Sequence, residues 1–189
     1  MKPIFSFVLF LTFILSLKCL AHGGENYVQE VCKVTRFRNL CIHSLSPYSN
    51  YAKKSTRMWA EISVGVTMKE AKNVSRYLNV LKTQVRFRRR QRYALSDCIE
   101  LLQDTMDSLS ESLGELKKLE ARTFEFQMEN VETWLSSGLT DEDTCLEGFS
   151  GKKGKTVRRI RNKIGKVSSL TSNALAIVTK LAHRTAIGT

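Results

Sequence analysis

The chain of 189 residues has little of what enzymes and strand-rich domains use most. It contains two prolines and three histidines, and no stretch alternates apolar and polar residues as a half-buried strand does. It has no glycine-rich phosphate loop, nucleophile elbow or metalloprotease motif. No histidine stands at metal-ligand spacing from another His, Cys or carboxylate: the three are His22, His43 and His183. These absences predict a protein that is not an enzyme and binds no cofactor or metal.

Residues 1–21 have the pattern of a secretory signal peptide. A positive Lys2 precedes an apolar run at 4–17, and residues 19–21 form a small-residue cleavage pattern. The run is shorter than the about 20 apolar residues that a membrane span needs. We therefore expect a secreted mature chain, residues 22–189, that forms one domain with no membrane segment. A retained membrane anchor is the alternative.

Four of the five cysteines remain after this cleavage. Cys32 and Cys41 are nine residues apart, and Cys98 and Cys145 are 47 apart. An even set in a secreted domain indicates disulfides. Three pairings are possible for four cysteines. We prefer Cys32–Cys41 with Cys98–Cys145, because the close pair can meet across a tight hairpin without help from the rest of the fold.

Charge is unevenly distributed along the mature chain. Residues 100–147 hold three bases and 13 acids, whereas residues 151–189 hold ten bases and no acid. Two basic runs stand out, with five arginines at 86–92 and eight bases at 152–166. A secreted chain meets little nucleic acid, so we expect no nucleic-acid partner. The runs are either solvated surface or a means of retention on an anionic matrix outside the cell.

Apolar residues recur at steps of three or four through most of the mature chain. Four long stripes have this period, at residues 58–85, 95–116, 124–135 and 157–181. The pattern predicts an all-α fold, an antiparallel up-and-down four-helix bundle over residues 50–185. Residues 22–49 are too short to join it fully, and we expect there a helical hairpin closed by Cys32–Cys41.

Loop and cap signals refine this prediction. Loops are expected at 46–50, 86–92, 119–123 and 149–155. Thr140, followed by three acids, has the pattern of a helix N-cap and predicts a short extra helix after the third long one. Asn73, Val74 and Ser75 form an N-glycosylation sequon on the first long helix. Its occupancy stays open, because Val74 belongs to the buried stripe.

Taken together, these residues resemble the plant invertase and pectin methylesterase inhibitors, over essentially the whole mature chain. The matching segments, in order, are VCKVT (31–35) with LC (40–41), ALSDCIE (94–100), QMENVETWLSSGLTDEDTCLEGF (127–149) and LTSNALA (170–176). The resemblance implies a four-helix bundle with an N-terminal hairpin, the cysteine pairing preferred above, and a stoichiometric inhibitor acting in the plant cell wall, the apoplast.

The resemblance favours the pectin methylesterase branch. Invertase inhibitors carry a Pro-Lys-Phe signature before the third long helix, and the corresponding stretch here is 122–124, Arg-Thr-Phe, with no proline. By resemblance, the bundle covers the substrate cleft of the esterase in a one-to-one complex. The positions matching family contact residues are Asp104, Asp107 and Thr144, although Thr144 could instead cap the short extra helix. Thr133 and Trp134 are expected to pack in the core.

Three alternatives remain open at this point. The first is an inhibitor of cell-wall or vacuolar acid invertase, which shares the family. A second is a secreted helical signalling ligand, since such bundles also have signals, two disulfides and no active site. The last is a pectin-binding wall protein held by the basic runs alone.

The hairpin departs from the pattern of the family. Residues 36–38, Arg-Phe-Arg, stand where relatives usually have an aromatic-proline pair.

Overall fold

The computed structural model describes residues 27–186, which contain helices and no strand. The signal-peptide prediction for residues 1–21 lies outside the described residues. A helical segment at 27–31, which we name α1, leads into a 3-10 turn at Cys32–Val34. The remaining helices are α2 (Arg38–Leu45), a 3-10 turn (Ser46–Tyr48), α3 (Ser49–Ala52), α4 (Thr56–Gln84), α5 (Arg89–Leu116), α6 (Phe124–Gly148) and α7 (Lys155–Ala186).

The four long helices form the predicted antiparallel bundle. Each packs against two neighbours, α4 on α5, α5 on α6, α6 on α7, and α7 back on α4. The buried residues follow the stripes read from the sequence, as on α7, where Ile160, Ile164, Val167 and Ile177 are all fully buried. Short connections force neighbouring helices to run in opposite directions, so the apolar faces meet in one core.

The N-terminal hairpin is present, is closed by its own disulfide and is fixed to the bundle by the side chain of Asn173. The Cys32–Cys41 disulfide joins the turn after α1 to α2. Asn173 of α7, buried in the bundle, holds the hairpin turn through both of its amide atoms. Its Oδ1 accepts from the Phe37 backbone N–H at 3.0 Å, and its Nδ2 donates to the Phe37 carbonyl at 3.0 Å. These two hydrogen bonds hold the backbone of Phe37 in a turn that has no proline to stiffen it.

A second disulfide, Cys98–Cys145, joins α5 to α6. Seven residues further along α5, Thr105 packs against Gly138 of α6, with 3.5 Å between Thr105 Cγ2 and the position of a Cβ on Gly138. The Thr105 hydroxyl also approaches the Gly138 carbonyl at 3.4 Å. Both contacts fix the same antiparallel register, because seven residues separate them on each helix.

The predicted short helix after the third long one is wrong. Helix α6 continues through Thr140 to Gly148 without interruption. The Thr140 hydroxyl donates to the Ser136 carbonyl at 3.0 Å, inside the helix, and caps nothing. A threonine followed by acids suits an N-cap, but a threonine can equally bond to the carbonyl four residues back within a helix.

Two of the predicted loops also need correction. Residues 46–50 form a 3-10 turn and the start of α3. Helix α5 already begins at Arg89, inside the basic run at 86–92 that was predicted to be a loop. The connections at 119–123 and 149–154 lie where the sequence predicts them.

Candidate functional site

Helices α5 and α6 present an outer surface of one charge sign. From residue 93 to the end of α5, and through all of α6, the chain has 13 acids and no base. Helix α7, by contrast, has eight Lys and Arg residues and no acid. The packing order puts α5 and α6 side by side. We call the solvent-facing side of this pair the acidic face.

Asp104 and Asp107 lie exposed on α5 within the acidic face. Asp107 Oδ1 accepts a hydrogen bond from Gln103 Nε2 at 3.1 Å, one turn back along the helix. Across the groove, Asp141 of α6 is half-buried. Burial, and then the negative charge of Asp104, raise the pKa of Asp141 above its ordinary value. The two helices therefore bring acidic groups together from positions that are far apart in sequence.

Thr144 is exposed on α6, one residue before the disulfide cysteine. Its hydroxyl donates to the Thr140 carbonyl at 2.7 Å. Thr144 therefore caps no helix, and the capping alternative is wrong. Thr133 is exposed as well, so its predicted place in the core is wrong, while Trp134 beside it is half-buried.

Beneath the acidic face lies a buried acid that the sequence analysis did not single out. Glu142 is 1% exposed, and its Oε1 lies 2.7 Å from Thr171 Oγ1 of α7. Glu142 Oε2 has no partner within the described residues. Burial raises the Glu142 pKa to about 8, and the negative charges of Asp143 and Asp141 add to this effect. The hydrogen bond with Thr171 lowers the pKa by a smaller amount.

The hydroxyl of Thr171 gives only weak support to a charged Glu142. Thr171 Oγ1 also lies 3.1 Å from the Val167 carbonyl, and a hydroxyl has one proton to donate. If Glu142 is protonated, its O–H donates to Thr171 and Thr171 donates to Val167, so every proton has an acceptor. A carboxylate would compete with Val167 for the one proton and remain poorly solvated.

Asn73 lies on α4, away from the acidic face. Its side chain is exposed and its Oδ1 accepts from Arg76 Nη2 at 2.5 Å, while Val74 is fully buried. The sequon asparagine is thus accessible on a helix that does not contribute to the acidic face.

The described residues offer neither a metal cluster nor a membrane span. Within residues 27–186, no group of three or more His, Cys, Asp or Glu side chains is placed to hold a metal ion. None of the helices in that range combines the length and apolar character that a membrane crossing needs. The bundle's most evident features are the two disulfides and the acidic face. Fold and surface together define a disulfide-bonded helical bundle with one acidic face.

Comparisons with known proteins place this bundle in a family. The family model of the plant invertase/pectin methylesterase inhibitor matches residues 26–177, and the chain belongs to that family. It is 45% identical over 161 residues to pectinesterase inhibitor 6 of Arabidopsis thaliana, covering 84% of this chain and 76% of that protein. It is 35% identical to pectinesterase inhibitor 3 of the same plant, covering 85% and 81%.

Solved structures agree with the fold. A crystal structure of a mutant pectin methylesterase inhibitor from Arabidopsis superposes with a TM-score of 0.64 at 18% identity, covering 79% of this chain and 93% of that one. The relatives are named as inhibitors rather than as enzymes, in agreement with the prediction that this chain is not an enzyme. The all-α bundle with two disulfides and the family predicted from the sequence are confirmed.

Proposed function

We propose that the mature chain, residues 22–189, is secreted to the plant cell wall and inhibits pectin methylesterase by covering its substrate cleft in a one-to-one complex. Membership of the family supports inhibition, and the relatives named pectinesterase inhibitors favour the esterase over acid invertase as the target. The acidic face carries the proposal. It offers exposed carboxylates on two helices whose relative position a disulfide holds.

Asp104, Asp107 and Thr144 form the proposed contact surface. All three are exposed, and none is needed to hold the core together. A rigid surface of one sign speeds the encounter with a partner of opposite sign and orients it, while exposed charges contribute little to fold stability. We therefore assign the acidic face to a basic surface beside the cleft of the esterase. The exposed Asn73 on α4 would carry a glycan without blocking this surface.

The first experiment titrates the oxidised mature chain against a plant pectin methylesterase at about pH 6, with a plant acid invertase alongside. We expect inhibition of the esterase alone, saturating near one inhibitor per enzyme. Inhibition of invertase alone would assign the chain to the invertase-inhibitor branch of the family. A lack of response from several isoforms of both enzymes would instead favour a signalling ligand or a pectin-binding wall protein.

A charge-reversal pair tests the acidic face itself. Asp104→Lys with Asp107→Lys should weaken inhibition at least about tenfold, because each substitution replaces attraction by repulsion at the contact. Helical content and melting should stay those of the unmodified chain. The matched control is Glu30→Lys with Glu120→Lys, which changes the net charge equally at exposed positions outside α5 and α6 and should leave inhibition nearly unchanged. Equal potency of the first pair and the unmodified chain would remove Asp104 and Asp107 from the interface.

A further inference from the structure

The two basic runs meet at one end of the bundle, where an open cleft of about 930 Å³ is lined by residues 85–91 and 151–157. In an up-and-down bundle the first and third connections lie at the same end, so segments about 60 residues apart become neighbours. Gln91 Nε2 donates to the Lys153 carbonyl at 3.2 Å and ties the two segments together. A smaller depression of about 660 Å³ continues along α7 past Arg158 and Arg161. We call both together the basic cleft.

The basic cleft has many positive charges and no compensating acid. Neither depression has an Asp or Glu in its lining. The ion pairs among residues 27–183 all lie elsewhere and involve none of these bases. All but the half-buried Lys152 are exposed. The nine bases are Arg86, Arg88, Arg89, Arg90, Lys152, Lys153, Lys155, Arg158 and Arg161.

Two helix N-termini add to this positive potential. Helices α5 and α7 both begin at the cleft, at Arg89 and Lys155, and neither has an acid in its first turn. The positive end of a helix dipole ordinarily favours acids or bound anions. Here bases occupy both first turns, so the self-repulsion in the free protein is relieved only by solvent or by an anion from outside.

We propose that the basic cleft binds an acidic polysaccharide, a chain of uronate sugars that runs between the two basic segments. Repeated carboxylates along one strand match bases spread over both walls of a groove, and guanidinium groups bind carboxylates in a two-pronged geometry. The site goes beyond the proposed inhibition. The choice of a uronate as ligand rests on the proposed function, since the ester hydrolysis that pectin methylesterase performs leaves galacturonate carboxylates.

A membrane surface fits the basic cleft less well. Membrane-bound basic surfaces insert protruding apolar side chains between lipids. The apolar residues of this cleft are withdrawn, with Val157 buried and Val85 and Phe87 half-buried. A concave groove also accepts a single extended chain better than a flat layer of headgroups.

The test measures binding of the mature chain to polygalacturonate, with no esterase present. We expect binding at about 20 mM salt that weakens steeply toward about 200 mM, because screening grows as the Debye length shrinks. Fully methyl-esterified pectin, which lacks the carboxylates, should bind at least about tenfold more weakly. Arg90→Gln with Lys153→Gln should weaken binding to polygalacturonate about 25-fold, at roughly fivefold for each base near an anionic surface.

The matched control removes the same net charge away from the basic cleft. Lys69→Gln with Lys72→Gln changes two exposed bases in the middle of α4, and should change binding less than about threefold. Equal losses in the two double variants would overturn the assignment to the cleft. No binding to polygalacturonate, or tighter binding to vesicles containing an anionic phospholipid, would overturn the choice of an acidic polysaccharide as the ligand. Because no esterase is used, either result leaves the proposed inhibition to its own test.

Discussion

Glu142 makes the stability of this protein depend on pH. The group is buried between α6 and α7, and its pKa rises from 4.5 to about 8 on folding. Below about pH 4.5 both the folded and the unfolded chain hold this proton. As the pH rises from there to about 8, the unfolded chain loses the proton and the folded chain keeps it. Stability therefore falls with rising pH across this window and levels off above it.

The magnitude follows from the gap between the two pKa values. At about 1.36 kcal/mol for each pKa unit, the full loss is of the order of 5 kcal/mol, of which about 3 kcal/mol falls between about pH 5 and pH 7.5. That is a large fraction of the roughly 5–15 kcal/mol that stabilises a typical domain. With a urea dependence of about 2 kcal/mol per molar, the unfolding midpoint should drop by about 1.5 M.

The assay is urea unfolding of the oxidised mature chain at about pH 5 and about pH 7.5. Glu142→Gln keeps the shape of the side chain and removes its titration, so most of the decline in unfolding free energy between the two pH values should disappear. Asp143→Asn is the matched control, since Asp143 is an exposed neighbour and its variant should keep the decline. Asp141 contributes a decline of the same sign, which all three proteins share.

Two outcomes would refute this reasoning. The first is equal stability of the unmodified chain at the two pH values, within about 1 kcal/mol. The second is a decline in Glu142→Gln as steep as in the unmodified chain, which would assign the pH dependence to other groups. Either would mean that Glu142 ionises in the folded protein at little cost.

The remaining predictions concern the parts that hold the fold together. Asn173→Ala should lower the unfolding free energy by about 2 kcal/mol, because the Phe37 N–H loses its partner and the Phe37 carbonyl keeps only the Cys41 N–H. Asn162→Ala, at an exposed position, should change it by less than about 0.5 kcal/mol. Replacing Cys98 and Cys145 by alanine should cost about 4 kcal/mol, against about 3 kcal/mol for the shorter loop of the other disulfide. Urea unfolding measures both, and the reverse order of the two disulfides would contradict the loop-length argument.

The bundle could be predicted from the sequence because its helices are long and strongly periodic. The same periodicity contains a signal for the burial of Glu142. Leu135, Gly138, Glu142 and Cys145 are spaced by three and four, so the acid stands on the buried stripe of α6. A charged residue in such a position predicts a buried polar group. The acids after Thr140 suggested a helix start, and this local pattern obscured the longer one.

The contact between Asn173 and the hairpin turn could not be predicted in this way. Asn173 and Phe37 are 136 residues apart, and no local pattern relates an asparagine in a helix to a distant turn. The basic cleft lies between these cases. Each run is evident in the sequence, and the up-and-down topology implies that both lie at one end of the bundle. The side-chain bond from Gln91 to the Lys153 carbonyl required the structure.

The acidic face and the basic cleft should act independently, although α5 contributes to both. Arg90 and Asp104 are 14 residues apart on this helix, which is about 21 Å at 1.5 Å per residue. That distance exceeds the Debye length of about 8 Å at physiological salt, so each set of charges is largely screened from the other. Distant sites without shared partners contribute additively.

Arg90→Gln with Lys153→Gln should therefore leave esterase inhibition within about twofold of that of the unmodified chain. Reversal of the charges of Asp104 and Asp107 should leave retention on polygalacturonate undiminished. If instead the cleft variant also weakened inhibition about tenfold, the esterase would reach across both surfaces, and the basic cleft would be part of the inhibitor interface rather than a separate polysaccharide site.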